Sequence, residues 1–264
     1  MTKFIVRRLT MSVISLIVAS FVIYAALYLA PGNPIALLSG GRALPPHSVH
    51  ILEARYHLNE PLPTQYWDWL KGIFHGDLGV SIVQHASVAS LIGPRIATTA
   101  ELVLYAGLIV VVFGIPLGLL GGLRPGLADA ASLTVSTVLV AAPSFVVALL
   151  LISVFSIGLG WFPALGDGIG VGGQIQHLTL PAIPITTVAG VTVASLIAMA
   201  AVIEEAFNLN GIGAELVTAA DSKDFAVVQA SPLILIAAFI VTNSVVDILY
   251  AAFDARVKLG ERSA

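Results

Sequence analysis

The sequence contains no cysteine and few charged residues, and both absences restrict what the protein can be. Without cysteine, disulfides, thiol catalysis and thiolate metal sites are excluded. Charged residues make up only 10% of the chain, whereas soluble domains carry roughly 25%. The formal net charge is −3 and no basic run is present, which argues against a nucleic-acid partner. The phosphate-binding loop, the HExxH motif and the GxSxG motif are also missing, so the sequence does not indicate an ATPase, metalloprotease or esterase.

The sequence does contain long apolar runs, and as a whole it is 58% hydrophobic with a mean hydropathy of +0.98. The run Ser231–Phe253 has membrane-spanning length and is entered by a proline. A helix satisfies its own backbone in hydrocarbon, and ~20 apolar residues cross the core. Asn243 and Asp247 lie four residues apart within the run and therefore share one helix face. Asp247 is a candidate pathway residue, or it pairs with a neighbouring helix or the basic tail; Asn243 is interpreted as an interhelical hydrogen-bonding residue.

The N-terminal apolar run Leu9–Ala30 is interpreted as a retained first span. It is longer than the roughly 7–15-residue apolar core of a signal peptide. Lys3, Arg7 and Arg8 precede it, so the positive-inside rule predicts a cytoplasmic N-terminus.

Residues 31–98 are predicted to form an extracytoplasmic loop subdomain. Apolar and aromatic residues between positions 66 and 74 recur with helical spacing and include Trp67 and Trp69. Asp77 lies between Gly76 and Gly79 in a predicted tight turn. Two interpretations remain open: a subdomain that lies on the membrane surface, or a docking platform in which Trp67, Trp69 and Asp77 contact a soluble partner.

Two further spans are predicted near residues 101–123 and 130–157. Thr98 or Thr99 is a candidate N-cap for the first, with Glu101 in its first turn. Pro143 falls in the middle of the second span. It is interpreted as a packing kink or as a residue that lines a pathway.

The next apolar run, Leu178–Ile203, creates a conflict in the span count. Glu204 and Glu205 end it and are interpreted as interfacial. Five spans put the termini on opposite faces, yet both termini carry three basic residues, which predicts an even number. The run is too short for two crossings at roughly 20 residues each. Either the charge rule fails at the C-terminus, or the run is a re-entrant pair, or a crossing is missing.

The six histidines fall in predicted outer loops and do not indicate a metal site. His47 and His50 are three residues apart, but no cysteine or close carboxylate completes a ligand set around them. No cofactor is therefore predicted for this chain.

An ordered series of short stretches covers nearly the whole chain. They are FIVRRL at Phe4–Leu9, LAPGNP at Leu29–Pro34, LNEPLPTQYWDWLKGIFHGDLG at Leu58–Gly79, PRIATTAELVLYA at Pro94–Ala106, GIPLGLLGG at Gly114–Gly122, PSF at Pro143–Phe145, HLTLPA at His177–Ala182, VIEEAFNLNGIG at Val202–Gly213 and NSVVDILYAAFDAR at Asn243–Arg256. None of these stretches is a strong motif alone, but together and in this order they resemble the first of the two permeases of the dipeptide/oligopeptide/nickel class of ABC importers.

The chain departs from the pattern of this class in three places. Asn210 and Ala255 stand where the class usually has proline. At Ile183–Pro184, about one crossing and the cytoplasmic coupling loop are absent, which agrees with the charge argument. A continuous helix at this point would indicate a true five-span chain, whereas a jump between separate helices would indicate excised residues.

The resemblance implies an all-α polytopic membrane helix bundle of the type I ABC importer kind, with five visible spans of an expected six. It implies one membrane domain over residues 1–264, with a permease-like core over 95–254. The chain would be a permease subunit for peptides or similar small solutes in a bacterial or archaeal inner membrane, with no catalytic residue of its own.

Its implied partners are a second homologous permease, an extracytoplasmic solute-binding protein, membrane lipid and two ATPase subunits that hold ATP and Mg. Two alternatives remain: a transport-incompetent remnant without the coupling loop, and a secondary transporter. The latter would favour internal repeats and mid-membrane ionisable residues; no repeat is found, and only Asp247 comes close.

Overall fold

The computed structural model describes residues 2–29, 35, 44–55, 59–81, 83–116, 119, 126, 134, 137, 142–186 and 195–253. It divides the chain into two compact units, one formed by Met1–Ile92 with Leu216–Ala264 and the other by Gly93–Glu215. The end of the second predicted span, the first part of the third span, the middle of the run 178–203 and the basic tail lie outside the described residues. The predicted boundaries at 31–98 and 95–254 and the single membrane domain stay predictions.

The described part is almost entirely helical, which confirms the all-α prediction. One two-stranded antiparallel ribbon pairs Val80 with Ser87 and Ser81 with Ala86. The elements in chain order are α1 (Thr2–Leu29), α2 (Pro46–Arg55), α3 (Leu62–Phe74), β1 (Val80–Ser81), β2 (Ala86–Ser87), α4 (Val88–Ile109) with a π-helical extension (Val110–Gly114), α5 (Ser144–Leu151) with a π-helical extension (Ile152–Gly158), α6 (Gly170–Thr186), α7 (Ser195–Ala206), α8 (Ile212–Asp221) and α9 (Phe225–Phe253).

Three helices among the described residues are long and apolar enough to cross a membrane. Their apolar segments are Ile5–Ala26, Val88–Gly114 and Phe225–Ile248, each with a mean hydropathy of 2.2. A fourth apolar helix, Ser144–Gly158, is shorter. Most side chains of the three long segments face outward, as expected for helices whose surroundings are lipid.

Two of the long helices begin earlier than the sequence indicated. α4 starts at Val88, where the Ser87 hydroxyl oxygen accepts a hydrogen bond from Ser90 N–H at 3.2 Å. Thr98 and Thr99 therefore both lie inside the helix, and the N-cap predicted at one or the other is wrong. α9 starts at Phe225, so Pro232 lies within the helix and does not mark its entrance.

Pro143 lies immediately before α5 and is its N-cap, so it does not kink a described helix from within; most of the predicted span before it lies outside the described residues. Its backbone is extended, with φ −57° and ψ 130°, and its carbonyl accepts hydrogen bonds from Val146 and Val147 N–H at 2.9 and 3.2 Å. The physical reason is general, because a fixed φ and a missing N–H suit proline to the start of a helix.

The apolar run 178–203 forms parts of two helices that contact each other and α5. α6 passes through Ile183–Pro184 without a break and is described as far as Thr186. Asn210 N–H donates to Asp167 Oδ1 at 3.1 Å, so the end of α7 lies beside the start of α6 and the helices are antiparallel. The helix at Ile183–Pro184 is thus continuous, but the run as a whole is divided.

The described parts of α6 and α7 contain 17 and 12 residues, and residues 187–194 between them lie outside the described ranges. The three alternatives for the span count, a failed charge rule, a re-entrant pair and a missing crossing, therefore stay predictions. The buried core of this unit joins both helices to α4 and α5 through residues that include Leu102, Ala148, Leu180, Ile185 and Ile203.

Candidate functional site

The most deeply buried carboxylate of the described residues, Glu204, lies where α7 meets α8. Its side chain has no solvent exposure. Its Oε2 accepts a hydrogen bond from Gly213 N–H at 2.7 Å, and the Thr99 hydroxyl oxygen accepts one from Ile212 N–H at 3.0 Å. These are first-turn N–H groups of α8, which have no partner within the helix and favour a negative charge. Glu204 and Thr99 thus cap α8 from α7 and α4.

Two glycines allow this close approach. A Cβ atom at Gly211 would overlap the Glu204 carboxyl group, and one at Gly213 would overlap the backbone of Ala201. The α7–α8 contact therefore requires hydrogen at both positions. Any larger residue would displace the N-terminus of α8 from the carboxylate that caps it.

An ion pair also joins α8 to α4. Arg95 Nη2 lies 2.7 Å from Glu215 Oε2, and the Glu215 side chain is only 4% exposed. Because Glu215 is in the first turn of α8, its charge also interacts favourably with the helix dipole. Three polar contacts therefore fix one end of α8 against its neighbours.

Glu204 follows the last residue of the apolar run and lies outside the three long apolar helices. Burial raises the pKa of its carboxyl above the ordinary value, and the nearby Asp167 acts in the same direction. Hydrogen bonds from Thr99, Gly213 and Ala214 oppose that rise in pKa. Glu204 is therefore buried against α8, whereas Glu205 is exposed, and the interfacial position of both residues stays a prediction.

A second polar site lies between α1 and α9. Arg8 Nη2 is 2.5 Å from Asp247 Oδ2, and the Ser12 and Ser244 hydroxyl groups are 2.7 Å apart. Asp247 thus pairs with a neighbouring helix, as in one of the interpretations offered above. Asn243 is half-buried one turn before Asp247 on α9. The pathway role of Asp247, Asn243 and Pro143 stays a prediction.

The residues predicted to dock a soluble partner have three different environments. Trp69 faces α1, and its ring centroid lies 5.1 Å from that of Tyr24. Trp67 is 56% exposed, with Lys71 Nζ 5.7 Å from its ring centroid. Asp77 is exposed and accepts a hydrogen bond from Gly79 N–H at 2.9 Å, which stabilises the predicted turn. Their docking role stays a prediction.

Sequence reasoning also missed the attachment of the small ribbon to the last helix. The Ser81 hydroxyl group donates a hydrogen bond to Asp224 Oδ2, and both side chains are buried. Ser81 Oγ also accepts a hydrogen bond from Gln84 N–H at 2.7 Å. Asp224 immediately precedes α9, so the pair fixes the start of that helix.

Within the described ranges, no three His, Cys, Asp or Glu side chains lie together as a metal ion would need. The polar clusters around Glu204, Asp247 and Asp224 join helices or the ribbon to one another. The arrangement suits positioning of helices within the membrane.

Two family models match the chain. The model described as binding-protein-dependent transport system membrane component, N-terminal, matches residues 1–103, and the one described as binding-protein-dependent transport system inner membrane component matches residues 164–259. Together they cover about three quarters of the sequence.

Curated relatives match over almost their full length. The chain is 27% identical to the glutathione transport system permease protein GsiC of Escherichia coli O6:H1 over 310 aligned residues, with 98% of this chain and 99% of the relative covered. The namesake of Pectobacterium atrosepticum is 27% identical over 305 residues with the same coverage. Both alignments are longer than this chain of 264 residues, so the relatives contain internal residues that it lacks.

Proposed function

Because the chain belongs to the binding-protein-dependent transport system inner membrane components and is a permease of the peptide/nickel class of ABC importers, we propose that it imports short peptides or similar small solutes. The observation that supports this substrate class is the match over nearly all of this chain to permeases named for glutathione transport. The proposed path runs between its helices and those of a second, homologous permease.

The energy for import would come from partner subunits. The described polar clusters join helices to one another, and the sequence lacks a phosphate-binding loop. ATP and Mg would therefore bind to two ATPase subunits, and an extracytoplasmic binding protein would deliver the solute. The chain itself would position helices and line the path.

We further propose that both termini lie in the cytoplasm. Arg8 of α1 contacts Asp247 of α9, and Ser12, one turn later in α1, contacts Ser244, which precedes Asp247 in α9. The two helices are therefore antiparallel. The first residues of α1 therefore lie beside the last residues of α9. The basic residues at both ends of the sequence support the cytoplasmic face for both.

The division of the run 178–203 supports the same topology. An antiparallel pair enters and leaves at one membrane face and adds an even number of crossings, whether or not its tip reaches the other face. With α1, α4, α5 and α9 as crossings, the total is even, as the charges at the termini require.

A transport-incompetent remnant is the second candidate. The observation that favours it is the length of the alignments to the curated relatives, 310 and 305 residues against the 264 of this chain. The relatives contain internal residues that this chain lacks, as expected if the coupling loop that would meet an ATPase is absent. In this alternative the chain would assemble with its partners but would not transport solute.

Reconstitution separates these candidates. The chain is co-expressed with the second permease and the ATPase subunits, purified by a tag on this chain alone, and placed in proteoliposomes. The proposal predicts co-purification and ATP-dependent uptake of labelled peptide supplied with the binding protein. Co-purification without uptake would indicate the remnant, and uptake by this chain alone along an ion gradient would refute the proposal.

The topology is testable because the native sequence contains no cysteine. We expect a membrane-impermeant maleimide to label Asn59→Cys in intact cells. Thr2→Cys and Ser263→Cys should react only after permeabilisation. Labelling of Ser263→Cys in intact cells while Thr2→Cys stays protected would contradict the proposed even number of crossings.

A further inference from the structure

The apolar surface of α3 is wider than its contact with α1. Tyr66 and Trp69 face α1, where the Tyr66 hydroxyl group lies 2.8 Å from that of Ser20. Trp67 and Phe74 are 56% and 81% exposed. They lie on a different side of the helix, with half-buried Leu70 between them. Because these three residues are spaced at i, i+3 and i+7, they form one continuous stripe.

The contacts with α1 fix the depth of α3. Ser20, Phe21 and Tyr24 contact it, and all three belong to the apolar segment Ile5–Ala26. Tyr24 follows the charged residue Arg8 by 16 positions, about 24 Å at 1.5 Å per residue, in a core about 30 Å thick. α3 is therefore held at the edge of the hydrocarbon and not in the aqueous space beyond it.

The polar residues of α3 lie beside the stripe, not within it. Lys71 Nζ pairs with Asp68 Oδ1 at 2.9 Å, and the Lys71 ammonium also lies over the Trp67 ring. A tryptophan ring beside a lysine whose stem is apolar and whose head is charged is typical of the boundary between acyl chains and headgroups. A helix with one apolar and one charged face lies in that plane.

We propose that the stripe Trp67, Leu70 and Phe74 is embedded in the acyl–headgroup boundary of the bilayer, with Lys71 directed to lipid phosphates. The exposed apolar side chains Val18 and Val22 of α1 lie at the same depth as α3, so the stripe continues the lipid-facing surface of that span. Because lipid would cover this stripe, it would not be available to a soluble partner. The inference does not depend on the transported solute.

The test measures the depth of Trp67 in vesicles of phosphatidylcholine and phosphatidylglycerol. The reporter carries Trp69→Phe and Trp161→Phe, so that Trp67 is the only tryptophan. We expect phosphatidylcholine brominated near the headgroup to quench about half of its fluorescence, and lipid brominated near the chain end to quench less, because interfacial helices bury about 5–10 Å. Aqueous iodide should quench it weakly.

The matched control keeps Trp69 as the only tryptophan, through Trp67→Phe and Trp161→Phe. Because Trp69 packs on Tyr24, we expect weaker quenching by both brominated lipids. A second reporter, Phe74→Trp with all three native tryptophans changed to phenylalanine, should behave like Trp67. Strong iodide quenching without quenching by brominated lipid, at either Trp67 or position 74, would overturn the proposal and favour a soluble docking partner.

Discussion

Replacing Glu204 with alanine is expected to destabilise the unit that contains α4–α7 and the start of α8. The change removes the acceptor of the Gly213 N–H bond at 2.7 Å in a region without solvent. A buried donor left without a partner costs about 1–3 kcal/mol, and the space vacated by the side chain adds to that cost. We therefore expect a loss of at least about 1 kcal/mol in the free energy of unfolding.

The neighbouring glutamate provides a matched control. Glu205→Ala removes the same chemical group from an exposed position, where substitutions typically change stability by about 0.5 kcal/mol or less. Glu204→Gln keeps a carbonyl oxygen that can accept from Gly213 N–H, so its effect should fall between the two. The assay is thermal unfolding of the purified protein in one detergent, followed by circular dichroism. Equal midpoints for Glu204→Ala and Glu205→Ala would refute the capping role.

Three further results are expected. Gly213→Ala should lower the unfolding midpoint because its methyl group overlaps the α7 backbone, whereas Gly107→Ala, which meets no neighbour, should not; equal midpoints would contradict the close packing. Because burial raises the pKa of Glu204 in the folded state, its contribution to the free energy of unfolding is present below the unfolded pKa and is lost as pH rises through the higher folded pKa. Glu204→Gln should lack this decline in stability with rising pH. Parallel stability profiles for the wild type and Glu204→Gln would contradict the raised pKa. Arg8→Ala and Asp247→Ala should show a coupling of up to about 1 kcal/mol in a double-mutant cycle, and strictly additive effects would argue against the pair.

The helical class and the surface helix α3 were predictable because apolar spacing and run length are local properties of the sequence. The start of a helix at Pro143 was also predictable from the sequence, since proline favours the start of a helix over its middle. Trp67 and Trp69 point to different sides of α3 because two residues along a helix correspond to a rotation of about 200°. These features needed no knowledge of distant contacts.

The burial of Glu204 was not predictable from its neighbours. The sequence does not distinguish the two consecutive glutamates that follow the apolar run, yet Glu204 is buried and Glu205 is exposed. The difference arises because α8 returns onto α7 through Gly211 and Gly213, a contact between segments separated by a turn. The reversal of the chain between α6 and α7 has no local signal either, since the prolines Pro181 and Pro184 lie within α6.

The pairing of α1 with α9 has a consequence for how the protein is made. α1 leaves the ribosome before α9, yet the carboxylate that neutralises Arg8 belongs to α9. During translation, Arg8 must therefore interact with water or lipid phosphates until α9 has been inserted. A polypeptide stopped before residue 247 would keep that arginine without its carboxylate, and such unfinished chains should be preferred substrates for membrane quality-control proteases.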